Sequence, residues 1–371
     1  MNFAKLLNIE YDPDRVYGLD MLRAAAVLFV VAIHSAYILP PAAATMLSHF
    51  ILDGVSIFLV LSGFLIGGIL IRLLETEKAS INTLFKFWFR RWLRILPAYY
   101  FILVILIFLP AFYTHFTSWH QTLKYFFFIQ NFYDRHPDFF PEAWSISVEE
   151  WFYLSAPLMI FVLVGVLQLS IRTSIITVAL TIISLTIAYR YHSFHAYTIL
   201  TTKDWDLIIR KRVITRLDTV MIGVVGAYIA HYRQLFWAKH KRFFLALGII
   251  ILITMKLIIE LQPPYQKFIL CVPYFTINAL GTLCLLPYLS ALRSGQGILF
   301  RSFTYISLIS YSMYLLNLSI VQEFLLRQID FYNYSFVFIV MRYILFWMFT
   351  IVGAVVLYKG IERPFMDMRS K

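Results

Sequence analysis

Asp20 and Arg23, ten mostly apolar residues and then His34-Ser35 set a carboxylate, a guanidinium and an imidazole within one hydrophobic run. At 100° per residue, the eleven positions from Arg23 to His34 make three turns plus about 20°. Both side chains therefore share one helix face, about 16 Å apart along the axis. A guanidinium offers forked donors to phosphate, and histidine titrates near neutral pH and is the commonest general base. The pair would suit the two ends of one long ligand. It has an ordinary reading as well, with Arg23 snorkelling to headgroups and His34 closing a helix–helix contact.

Other ionisable groups recur at helix ends. Lys86, Arg90, Arg91 and Arg94 lead into an apolar run; they would serve as a topology anchor or bind a di- or triphosphate. Ser145, Ser147, Glu149 and Glu150 open another run. Adjacent helical carboxylates point about 100° apart, so one can face the bundle, and a carboxylate beside His34 would orient the ring. Arg216 and Asp218 begin a further run and are expected to form a buried ion pair, structural or functional. By topology His34, Glu149, Arg216 and Asp218 fall in the same half of the membrane. The small residues between Gly54 and Gly68 permit close helix packing.

The elements that must position these groups follow from composition. The 371 residues are 61% hydrophobic and only 14% charged, against about 25% charged in soluble domains, and the mean hydropathy is +0.75. The expected fold is all-α, a polytopic membrane bundle of about ten helices in a single domain with no appended soluble domain. At roughly 20 apolar residues per span, the candidates are 18–39, 48–73, 94–112, 144–168, 173–190, 215–232, 243–261, 269–291, 303–326 and 335–358. The span 215–232 is the weakest because it holds Arg216 and Asp218. Aromatics reach 18%, many of them at the ends of runs, as in an interfacial belt.

The net charge of +12 lies in short loops, which fits anionic lipid, topology control or a phosphate-bearing ligand rather than nucleic acid. Cys271 and Cys284 both fall in apolar runs, with no disulfide framework and no metal-ligand spacing. The start of the chain lacks the pattern of a cleavable signal peptide. With the N-terminus inside, nineteen cations fall on the inner side and nine on the outer, so both termini are expected in the cytoplasm. The loops 113–143 and 191–214 are longer than connection requires and are candidates to roof an outer site.

Taken in order, these motifs resemble the membrane-bound acyltransferase 3 family over nearly the whole chain. The resemblance rests on Asp20-x-x-Arg23 with ten residues to His34, the run from Ile57 through Ser62-Gly63-Phe64 to Ile66, and Arg90-Arg91-x-x-Arg94 with Pro97 and Tyr99. It continues through Trp144-Ser145-x-Ser147-x-Glu149-Glu150, Arg216-x-Asp218, Ser310-Tyr311-Ser312-x-Tyr314 and Glu362-x-Pro364. It implies transfer of an acyl group, usually acetyl from cytoplasmic acetyl-CoA, to a hydroxyl of a glycan or lipid-linked acceptor at the outer face of a bacterial inner membrane. His34 is then the essential histidine, oriented by Glu149. Arg23, Arg90, Arg91 and Arg94 face the phosphates of the coenzyme, and Arg216, Asp218, Ser147 and Asn317 belong to the active-site shell, with no metal. His34 would take the acceptor proton or form an acyl-histidine. The chain departs from the family at Asn317, where a histidine is common; asparagine keeps the hydrogen bond and loses the proton transfer. The rival expectations are a transporter or flippase and a non-catalytic member of the family.

Overall fold

The structure is a computed structural model that describes residues 15–109, 118–261, 267–327 and 336–368. Ten principal helices build it: α1 (Tyr17–Ser35), α2 (Gly54–Thr76), α3 (Ile81–Phe108), α4 (Ala143–Gly165), α5 (Ile171–Ala196), α6 (Leu217–Tyr232), α7 (Lys241–Leu261), α8 (Tyr274–Leu289), α9 (Gly297–Leu316) and α10 (Phe336–Leu357). No strand occurs among the described residues. Eight helical segments are long and apolar enough to cross a membrane, while α6 and α8 are shorter apolar helices. The chain is an integral membrane protein.

Side-chain caps start several helices. Asp53 accepts from Ser56 N ahead of α2, Ser80 from Thr83 N ahead of α3, and Ser170 from Thr173 N ahead of α5. The Ser80 cap corrects one expectation. The third span, placed at 94–112, begins at Ile81, so Lys86, Arg90, Arg91 and Arg94 lie inside the helix rather than in a loop before it. Low hydropathy hid this first half. The eight positions from 110 to 117 that the expectation gave to that span or its loop lie outside the described residues.

α2 and α6 pack together along much of their length. A Cβ on Gly63 would stand 1.9 Å from the Val220 carbonyl oxygen, and one on Gly223 2.1 Å from that of Val60. Only glycine at both positions allows this approach, which is the close packing expected of the small-residue stretch. α1 lies between α2 and α9. Its first turn is tied down where Asp20 accepts from Arg15 Nε at 2.9 Å and from the Ser307 hydroxyl at 2.7 Å.

Beyond Leu316, α9 continues as a π-helix from Asn317 to Leu326. Such widened turns are rare and frequent at functional sites. Among the aromatics at the ends of apolar runs, where an interfacial belt is expected, Trp144 and Trp205 are instead buried at 4% and 5% exposure.

Candidate active site

α1 carries Arg23 and His34 on one face, and each lines a different cavity. The first, about 800 Å³ with its mouth included, is lined by Arg23, Arg91, Arg94, Ser62, Glu149 and Tyr311 among others. The second, about 1420 Å³ on the same basis, is lined by His34, Asp53, Glu142, Trp144, Asp206, Arg210 and their neighbours. Val55 and Tyr314 line both. The cavities thus approach from the two ends of α1 and meet at those two side chains.

Asn317 holds the imidazole. Its amide nitrogen donates to the Met313 and Tyr314 carbonyls at 3.0 and 2.8 Å, which turns Oδ1 towards His34 Nδ1 at 2.5 Å. An acceptor at that position requires Nδ1 to carry the proton, leaving the Nε2 lone pair free. The first π-turn of α9 thereby selects the tautomer that a general base needs. Next to it, Glu142 accepts from Ser319 N at 2.6 Å and from the Ser319 hydroxyl at 2.5 Å, pinning the π-segment to the start of α4.

Glu149, expected to orient His34, is instead part of the arginine cavity. It accepts from Tyr153 OH at 3.0 Å and faces Arg91 Nη2 at 3.4 Å. Arg91 also donates to Tyr153 OH and, at 3.3 Å, to Ser62 Oγ. The place beside His34 belongs to Asn317. Arg23, Arg91 and Arg94 come together in one cavity, whereas Arg90 is exposed on α3.

Arg216 and Asp218 do not pair with each other. Asp218 accepts from Arg190 at 2.5 Å and from Thr276 at 2.6 Å, with Arg190 and Asp218 wholly buried. The Arg216 guanidinium lies 3.8 Å over the Phe275 ring and donates to Ser56 at 2.6 Å. The span expected at 173–190 ends on Arg190; α5 runs six residues past it, to Ala196. Ser147 is fully buried and accepts from Gln130 at 2.6 Å, so it anchors the 127–142 connection rather than facing either cavity.

The roof of the second cavity comes partly from the 191–214 connection. Arg210 donates to Asp206 at 2.8 Å and Lys211 Nζ lies 2.6 Å from it. Burial alone would raise the Asp206 carboxyl; Arg210 and Lys211 outweigh it and hold the group below its usual range. Sequence reading assigned no role to Asp53, Glu142, Asp206, Arg210 or Tyr314. Asp53 had a visible signal, a helix-capping residue before an apolar run, which conceals any further use. Tyr314 sat unassigned within a recognised motif.

A family model described as an acyltransferase domain matches residues 16–359. The chain belongs to the acyltransferase 3 family. Among curated relatives of this chain, the peptidoglycan O-acetyltransferase OatA of Listeria monocytogenes is 32% identical over 166 residues, covering 41% of this chain and 25% of the relative. The O-acetyltransferase OatA of Staphylococcus aureus is 29% identical over 241 residues, covering 61% and 36%. The matched stretch thus spans about a quarter to a third of these relatives' length. No solved structure matches the chain.

Proposed function

We propose that this acyltransferase moves an acyl group, acetyl by default, from cytoplasmic acyl-CoA to a hydroxyl of a cell-surface glycan or lipid-linked saccharide across a bacterial plasma membrane. The observation that carries the reading is the setting of His34. Its Nδ1 is held by Asn317, and its ring lines a cavity that meets an arginine-lined cavity at Val55 and Tyr314. The relatives' names support O-acetylation and, for the Listeria protein, a peptidoglycan acceptor.

In this reading the coenzyme's phosphates rest against Arg23, Arg91 and Arg94, and the thioester extends along α1 towards His34. Glu149 and Tyr153 aim Arg91. The acceptor hydroxyl gives its proton to His34 Nε2 while its oxygen bonds to the thioester carbonyl carbon. The carbon–sulfur bond breaks, the departing thiolate takes the proton back from the imidazolium, and free coenzyme A leaves. No electrons are exchanged with any other group. Arg216 and Asp218 sit behind Ser56 and against α8, and both termini lie in the cytoplasm, a placement that the cation bias supports.

The test is purified protein in nanodiscs with radiolabelled acetyl-CoA and saccharide acceptors. His34→Ala is expected to lower transfer by at least about 10²-fold while leaving the protein inserted. Wild-type turnover in this variant would sink the assignment. Acetyl-CoA binding without any turnover in the wild type would identify a non-catalytic member, and no interaction would favour a transporter.

A further inference from the structure

Asp53 faces the same cavity as His34 and has no part in the transfer just described. Its height is set by Gly54. A Cβ there would lie 2.3 Å from the Ala26 carbonyl oxygen and 3.0 Å from a Val30 methyl. α2 therefore starts against α1 one helical turn short of His34. Its orientation is set by hydrogen bonds. Ser56 donates to the carboxylate from its backbone N–H at 3.2 Å and from its hydroxyl at 2.6 Å. That hydroxyl accepts in turn from the buried Arg216, and Arg210 Nη2 stands 3.8 Å from Oδ1. A carboxylate has about four lone-pair sites and can only accept. Ser56 uses two of them, so acceptor capacity remains on the cavity side.

We propose that Asp53 orients the acceptor, taking a hydrogen bond from a hydroxyl or amide N–H next to the hydroxyl that His34 deprotonates. The preferred acceptors are then sugars with two adjacent donors, a vicinal diol or an N-acetylamino sugar. The inference rests on the acyl-transfer reading. The cavity's charges suit an uncharged sugar, because its cations are already committed to carboxylates: Arg210 and Lys211 to Asp206, Lys256 to Glu260 at 2.9 Å. Trp144 and Tyr274 also line this cavity and add apolar surface to its wall.

The experiment uses the full chain in nanodiscs, acetyl-CoA, and methyl N-acetylglucosaminide with its monodeoxy and N-deacetylated analogues. Asparagine caps helices as well as aspartate does, so Asp53→Asn keeps the start of α2 while turning one acceptor into a donor; Asp53→Ser, also a good cap, is the second variant. In the wild type, one analogue lacking a neighbouring donor is expected to lose about 10- to 100-fold in kcat/KM, as befits a hydrogen bond to a charged group. Both variants are expected to lose a similar factor on the parent sugar through acceptor KM, with acetyl-CoA KM unmoved, and to treat that analogue and the parent alike. Variants that still discriminate between the two as the wild type does would overturn the role of Asp53. A wild type that acetylates none of the sugars would overturn the transferase reading, and this inference with it.

Discussion

His34 and Asn317 form the shortest chain of cause in the molecule: two backbone carbonyls orient an amide, the amide selects a tautomer, and the tautomer frees Nε2. On the proposed role of His34 as base, Asn317→Leu is therefore expected to lower kcat by about 10²-fold or more while leaving acetyl-CoA KM close to wild type, since the imidazole remains but its orientation is lost. Single-turnover and steady-state assays with radiolabelled acetyl-CoA would check the split. The arginines should divide just as sharply. Arg91→Gln and Arg94→Gln are expected to raise acetyl-CoA KM about 10-fold each, because both line the cavity. Arg90→Gln, with its side chain exposed, should change it little. Equal effects at all three would mean that the cluster acts only as a general positive field.

At the scale of elements, the α2–α6 crossing and the buried Arg190–Asp218 pair carry the arrangement. Gly63→Val would drive side-chain atoms into the Val220 carbonyl and is expected to cost at least about 2 kcal/mol, read as a lower thermal midpoint in detergent. Arg190→Met leaves Asp218 buried without its cation and should cost about 3–5 kcal/mol, much of it recovered by adding Asp218→Leu. The helices themselves were largely legible, because runs of about 20 apolar residues have few alternatives in a bilayer. The Arg23–His34 face followed from helical period alone. What could not be read was azimuth and partner choice. Asn317 meets His34 while Glu149 packs with Arg91 in the other cavity, and only packing decides between them. Asp218 was expected to meet its sequence neighbour Arg216, yet its cation comes from α5, 28 positions away. The polar start of α3 escaped notice because a helix whose apolar face is diluted by Lys86 and three arginines falls below the hydropathy of a span.

For the whole molecule, the nineteen-to-nine division of cations predicts a fixed orientation in the membrane. In a variant lacking Cys271 and Cys284, a cysteine at Lys203 should react with an impermeant maleimide in intact cells, and one at Lys239 only after permeabilisation. The reverse pattern would invert the topology. The meeting of two cavities at Val55 and Tyr314 has an electrical consequence. Water entering from both ends would leave the insulating layer only a pair of side chains thick at that point. Tyr314 is braced there, donating to the Glu142 carbonyl at 2.9 Å with the Ser145 hydroxyl 2.7 Å away. Most of the transmembrane voltage would then fall across this partition, at about 2.3 kcal/mol per elementary charge for each 100 mV. Tyr314→Ala should accordingly make vesicles leak protons under an imposed potential, so the phenol where the two cavities meet also serves as electrical insulation.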